Sequence, residues 1–293
     1  MSDYKILITP PEKDFELLDS GDGEKLERYG DVVVARPDPQ TLWKKNLSEE
    51  DWQKADAYFY RDSTDANWSV RRELPERWPI ELAGLKFWIK LSAFKHTGVF
   101  PEQASNWNWI REKIKKAKRT ESPKVLNLFG YTGGATLAAA QAGAEVVHID
   151  GSKSAIGWAR DNAELSGLSE KPVRWILDDA QKFVTREIKR GKKYDGIIMD
   201  PPAFGHGPGG EMWKIEEDFL GLLDSCKEIL SDKPLFFIVN GYASGYSAIA
   251  YKNSLGDLLK DFGGEIEIGE LTMGELSSDR VLPAGIFARW SSI

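Results

Sequence analysis

Between residues 125 and 239 the chain alternates short, uniformly apolar runs with longer amphipathic ones, and this alternation restricts the possible fold more than any other feature. Residues 125–129, 145–149, 173–177, 194–199 and 235–239 read as strands, and 135–142, 154–166, 180–190 and 215–230 as helices. That order implies parallel strands joined by crossover helices: an α/β, Rossmann-like, doubly wound and mostly parallel sheet. Ahead of it, residues 103–118 space Trp107, Ile110, Ile114 and Ala117 as one helical face. The tail breaks the pattern. Residues 265–271 and 285–290 read as strands with Ser277-Ser278-Asp279 between them, the signature of a C-terminal antiparallel hairpin closing the sheet edge.

The first 95 residues read differently. Short strands at 4–9, 15–19 and 32–35 and a strand pair over 81–91 are separated by Pro10-Pro11, Gly21-Asp22-Gly23 and Gly84. This predicts a small β-rich accessory domain over 1–95 and a catalytic-type α/β domain over 96–293.

Charge and cysteine content narrow the function classes. A net charge of −7 opposes strong non-specific binding to nucleic acid, which depends on neutralising phosphates. Two basic clusters, Arg111 to Arg119 and Arg186 to Lys193, fit solvated helix faces. Cys226 is the only cysteine, so an intramolecular disulfide is excluded and a reducing cytoplasm is expected. No apolar run approaches the roughly 20 residues of a membrane span, and the first residues lack the pattern of a signal peptide. His96, His148 and His206 are scattered, and no metal site is expected. The 11 tryptophans are expected to supply core area.

Four motifs fall at strand ends, where open α/β sheets bind their ligands. Residues 125–135 run from an apolar strand through Gly130-Tyr131-Thr132-Gly133-Gly134 into a helix, which allows close backbone approach and open amides at the helix start. The glycines do not match the G-x-G-x-x-G spacing of a dinucleotide pyrophosphate loop. Asp150 ends the second strand about 20 residues on, where a carboxylate can accept hydrogen bonds from a vicinal diol. Asp178-Asp179-Ala180 follows the third strand; Asp179 is either an acceptor for an adenine amino group or the cap of the next helix. Asp200-Pro201-Pro202-Ala203-Phe204 follows the fourth. Its prolines stiffen the turn, its carboxylate and carbonyls can receive an amine, and Phe204 can stack on a planar ring.

Together these residues resemble the class I S-adenosylmethionine-dependent methyltransferases, and within them the bacterial group related to ribosomal RNA large-subunit methyltransferases with a DPPxF motif. Residues 97–103, Thr-Gly-Val-Phe-Pro-Glu-Gln, are similar to a segment that precedes the domain in that group. The resemblance implies that S-adenosylmethionine binds Phe100, Gln103, Phe129, Gly130, Tyr131, Thr132, Gly133, Asp150, Gly151, Ser152, Asp179, Ala180 and Asp200. It implies that Asp200, Pro201, Pro202 and Phe204 serve the acceptor, an RNA base nitrogen methylated by direct in-line transfer. Relatives that methylate cytosine C5 use a cysteine thiolate, whereas this chain has Asn240-Gly241-Tyr242-Ala243 after the fifth strand, so covalent chemistry is disfavoured. Methylation of a protein or small molecule, and a non-catalytic cofactor-binding module, are the competing readings.

Overall fold

The computed structural model describes residues 4–61, 66–92, 95–242 and 245–292; Ala243 and the first three residues lie outside the described residues. In chain order the first elements are β1 (Tyr4–Thr9), β2 (Phe15–Gly21), β3 (Glu24–Tyr29), β4 (Val32–Pro37), α1 (Glu49–Trp52), β5 (Ala57–Arg61), β6 (Ala66–Val70), β7 (Trp78–Leu82) and β8 (Leu85–Ile89). A 3-10 turn, Pro101–Gln103, leads into α2 (Ala104–Lys116) and β9 (Lys124–Leu128). Then come α3 (Gly134–Gln141), β10 (Glu145–Asp150), α4 (Lys153–Leu165), β11 (Val173–Leu177), α5 (Ala180–Lys189) and β12 (Gly196–Met199). The chain ends with β13 (Phe204–His206), β14 (Met212–Lys214), α6 (Ile215–Glu228), β15 (Phe236–Gly241), α7 (Ala248–Leu259), β16 (Glu265–Gly274) and β17 (Val281–Ser291).

Among the described residues, eight strands form one sheet in the order β1-β16-β17-β15-β12-β9-β10-β11. The five from β15 to β11 are parallel, and β17 runs antiparallel to β15. The first of the parallel strands, β9, lies between β10 and β12, so the chain reverses direction across the sheet there. This is the topological switch point, where loops from two neighbouring strand ends part and leave a crevice.

Period-two alternation places the core on both faces. Leu126, Leu128, Ile197, Met199, Phe237 and Val239 meet Phe183, Leu222, Leu223, Tyr251 and Leu255 of α5, α6 and α7. Val125, Val146, Ile198, Phe236 and Ile238 meet Trp109, Ile110 and Ile114 of α2 and the alanines of α3. A sheet covered on both sides needs strands that are apolar throughout, and those of β12 and β15 are wholly buried. The α7 helix is absent from the sequence expectation, although Ser247 caps it and Ala248, Tyr251, Leu255 and Leu258 recur at helical spacing.

The chain divides into two compact units. One comprises Met1–Leu7, Ser105–Glu270 and Gly285–Ile293, the other Ile8–Ala104 and Leu271–Ala284. The units are discontinuous in sequence, because β16 and β17 are each divided between them. The second unit holds the sheet β2-β3-β4-β5-β6, in which β4 and β5 are parallel and the other neighbours antiparallel, and the hairpin β7-β8.

Inside that sheet Glu27 and Arg36 form a fully buried ion pair, with Arg36 Nε at 2.5 Å and Nη2 at 3.0 Å from the carboxylate. Arg36 also donates to Tyr29 Oη at 2.8 Å and to the Lys95 carbonyl at 3.0 Å. Burial by itself would raise the Glu27 carboxyl, but Arg36 and Lys25 outweigh it and hold the group down at about 2. Stability from this pair is therefore present above the ordinary glutamate value of 4.5 and is lost as pH falls through about 2. Glu27→Gln should cost about 3–5 kcal/mol, because it leaves a buried guanidinium without its counter-charge. Denaturant titration of that variant at neutral pH measures the loss.

Candidate functional site

The strand ends at the switch point bring three sequence-identified segments together: the glycine-rich loop after β9, Asp150-Gly151-Ser152 after β10, and the Asp200-Pro201-Pro202 turn after β12.

The loop is held in an unusual backbone path. Phe129 (φ 59°) and Tyr131 (φ 49°) occupy the left-handed region, which is costly for residues with a Cβ and persists only where surroundings impose it. Those surroundings are specific. The Gly130 amide donates to the Ile149 carbonyl at 2.9 Å, the Tyr131 amide to Asp150 Oδ2 at 2.8 Å, and Asn162 Nδ2 to the Thr132 carbonyl at 3.0 Å. A Cβ on Gly130 would stand 2.4 Å from the His148 ring, and one on Gly134 2.3 Å from the Trp107 indole, so neither position tolerates a side chain. Gly133, at φ 93°, caps α3 without any side-chain hydrogen bond to the first turn. An N-terminus with that partial positive charge and no capping side chain suits a ligand carboxylate.

Asp150 divides its oxygens between two amides: Oδ2 takes Tyr131, and Oδ1 takes Ser152 at 2.8 Å. Burial raises its carboxyl, and these two bonds oppose the rise. Ser152 accepts from the Ala155 amide as the cap of α4. Asp179 caps α5, accepting from the Lys182 amide at 2.8 Å, which is the helix-cap alternative open at the sequence level. Ala180 is the buried first residue of that helix. Asp178 pairs with Arg186, and its amide reaches the Asp150 carbonyl at 3.1 Å, which joins the ends of β10 and β11.

In the fourth segment burial pushes the Asp200 carboxyl up to about 6. The Pro202 carbonyl is engaged by Trp213 Nε1 at 2.7 Å and the Ala203 carbonyl by the Ile215 amide at 3.1 Å. The hairpin and the first residue of α6 thus take these two groups. Phe204 is 54% exposed and meets His206 edge-on at 4.9 Å.

The hairpin β13-β14 is likewise absent from the sequence expectation, although Gly207-Pro208-Gly209-Gly210 marks its turn. It unites the site. Trp213 packs on Phe129 at 5.0 Å, tying the double-proline turn to the glycine-rich loop. Lys182 pairs with Glu211 one turn past Asp179. Gly151 faces the His206 carbonyl, which a Cβ would approach to 3.1 Å. Phe100 and Gln103 belong to the other compact unit, where Phe100 flanks the turn Pro101–Gln103 and its ring meets His96 at 5.3 Å.

At the end of β15, Asn240 Oδ1 accepts from Asn106 Nδ2 at 2.8 Å, and Arg289 donates to Asn106 Oδ1 at 3.1 Å. Cys226 lies fully buried in α6, and burial pushes its thiol far above the range where a thiolate forms. Cys226→Ser should lower the melting temperature, since it buries a hydroxyl, and leave turnover per folded molecule within about twofold. Loss of turnover in a folded, cofactor-binding variant would overturn the non-covalent reading.

A family model described as S-adenosylmethionine-dependent methyltransferase matches residues 52–246. A solved S-adenosylmethionine-dependent methyltransferase from Agrobacterium tumefaciens is 43% identical and superposes with a TM-score of 0.93, over 99% of this chain and 94% of that one. Ribosomal RNA large subunit methyltransferase K of Neisseria meningitidis is 30% identical over 164 residues, 55% of this chain and 44% of its own length. Ribosomal RNA large subunit methyltransferase I of Aeromonas salmonicida is 37% identical over 126 residues, 43% of this chain and 30% of its own length. The chain spans less than half the length of either of these curated relatives.

Proposed function

Because the chain belongs to the S-adenosylmethionine-dependent methyltransferase family, we propose that it methylates a base nitrogen in RNA, with ribosomal RNA as the substrate. When bound, S-adenosylmethionine supplies a sulfonium methyl group open to in-line displacement by a lone pair. Phe129, Gly130, Tyr131, Thr132 and Gly133, with the open start of α3, hold the methionine end. Asp150, with Gly151 and Ser152 beside it, holds the ribose, and Asp179 with Ala180 borders the adenine. Phe100 and Gln103 are assigned to the same ligand from the family resemblance.

The observation that carries the acceptor assignment is the half-buried Asp200 carboxylate, raised by desolvation, on a double-proline turn at the switch point, next to an exposed aromatic ring. A nitrogen acceptor needs no covalent intermediate; it needs its N–H bonds received and its lone pair aimed. The Asp200 carboxylate and the Pro201 carbonyl accept those N–H groups, and Phe204 stacks on the base. The names of the curated relatives support RNA as the acceptor class, and the cytoplasm is the compartment this substrate requires.

The ionised Asp200 is the stronger acceptor and carries no competing O–H, so kcat/KM should rise with pH through about 6 and level off above it. A sulfonium cation in the same site favours the carboxylate, so the inflection in kcat should lie lower than that in kcat/KM. A profile flat across this range would remove Asp200 from the acceptor site. The substrate itself is tested by mass spectrometry of ribosomal RNA nucleosides from cells with and without the gene. A missing N-methylated nucleoside is expected; unchanged RNA together with a methylated protein would overturn the RNA assignment.

A further inference from the structure

The register pairs Met199 of β12 with Val239 of β15, so Asp200 and Asn240 are the next residues on two adjacent parallel strands, at the edge where the crevice opens. Asn240 is 4% exposed, and its amide has two ends of opposite character, an accepting oxygen and a donating nitrogen. A chain of hydrogen bonds with a fixed direction decides which end is engaged. Arg289 has only donors to offer, and its Nη1 lies 3.1 Å from the Asn106 side chain in the first turn of α2. The atom it meets is therefore Oδ1, which leaves Asn106 Nδ2 toward Asn240 at 2.8 Å. That contact in turn takes the Asn240 oxygen. Among the described residues Asn240 Nδ2 closes no hydrogen bond, and it is not sealed in the core.

The start of this relay is costly to hold. Arg289 is buried, takes Glu267 as its counter-charge at 2.8 Å, and lies 4.9 Å from the ring centres of both Trp109 and Phe287. A buried ion pair adds little net stability over apolar packing, and its best-attested use is to fix one arrangement of polar groups. Here the arrangement that it fixes is the direction of a neutral amide one strand away from Asp200.

We propose that Asn240 reads the acceptor: its Nδ2–H donates to a ring nitrogen or carbonyl oxygen beside the target nitrogen, while Asp200 receives the N–H groups of that nitrogen. Asn106 and Arg289 are positioning residues, which set the end of the Asn240 amide that faces the crevice. The pair then admits an amino group flanked by a hydrogen-bond acceptor, and opposes a base that presents a second N–H at the flanking position. The inference rests on the reading of Asp200 as an acceptor-side group.

The test uses the full chain, tritiated S-adenosylmethionine, and ribosomal RNA from cells lacking the gene. Asn106→Asp is the decisive variant. Its carboxylate still receives Arg289 but has no proton to give, so the Asn240 amide turns over and presents its oxygen to the crevice. The value of kcat/KM should fall about 10- to 100-fold, while S-adenosylhomocysteine affinity stays within about twofold and the protein remains folded, since the new carboxylate faces a guanidinium. Asn240→Ala should lose about tenfold, and adding Asn106→Asp to it should change kcat/KM by no more than about twofold, because no amide remains to be turned. A residue pair that only stabilises the fold would give losses that multiply. Full turnover in a folded Asn106→Asp protein, or multiplying losses in the double variant, would overturn this inference alone. A fall in S-adenosylhomocysteine affinity as steep as that in turnover would place Asn240 at the cofactor and overturn its acceptor role. Ribosomal RNA left unmethylated by the wild-type chain would overturn the RNA reading with it.

Discussion

Asp200→Asn should lower kcat by about 10²–10⁴ while S-adenosylhomocysteine affinity stays within about twofold of wild type. The substitution keeps the shape of the side chain and replaces one accepting oxygen with a donor. In a buried site that donor points at the N–H groups of the acceptor, so the acceptor is repelled where it was held and its lone pair is no longer aimed. Burial is what raises the Asp200 carboxyl, so a neutral amide of the same shape relieves that cost in the free protein, and the melting temperature should not fall. The pH step near 6 should disappear from whatever activity remains. Calorimetry and single-turnover kinetics on the same sample separate the two properties. A variant that loses cofactor affinity as steeply as turnover would place Asp200 in the cofactor site rather than at the acceptor.

Asp150→Ala should act in the opposite sense, with cofactor affinity falling at least about 100-fold. In the structure its carboxylate already holds the amides of Tyr131 and Ser152. Charge-assisted bonds of this kind contribute about 1.5–3 kcal/mol each, and about 2.7 kcal/mol corresponds to a 100-fold change in affinity. Truncation therefore removes the group assigned to the ribose and also frees the loop assigned to the methionine end. Asp150→Asn keeps one accepting oxygen and should fall between the two. Calorimetric titration with S-adenosylhomocysteine resolves all three proteins. Unchanged affinity in Asp150→Ala would sink the ribose assignment.

Much of the site is legible in the sequence because a parallel sheet leaves little freedom in where its loops emerge. Once β9, β10, β11 and β12 are recognised by their apolar runs, Gly130, Asp150, Asp179 and Asp200 must lie along one edge. The division of labour at that edge is less legible. Asp179 is used at least in part as a helix cap, a role that the same aspartate before the same helix could always fill. Pro202 reads as an acceptor-side residue, yet its carbonyl is engaged by Trp213, 11 positions away on the far strand of a hairpin. That hairpin is short, with three residues per strand, and three of its five loop residues are glycine, so no periodic signal develops. The missed α7 is a different case: its apolar spacing is regular, but Gly256 and Ser254 dilute it.

The sequence by itself determined the class of fold, the mostly parallel direction of its strands, and which motifs fall at the strand ends. Each of these follows from local periodicity or from a motif confined to about ten residues. Tertiary structure alone decided what holds those residues in place. His148 under Gly130, Asn127 against Thr136, and Asn106 between Asn240 and Arg289 are pairings of residues separated by 9 to 183 positions. The same is true of the interleaving of the two compact units through β16 and β17. No local pattern encodes such pairings. They arise because each buried polar group must find a partner in the folded chain, and that partner is set by which strands and helices the packing brings alongside.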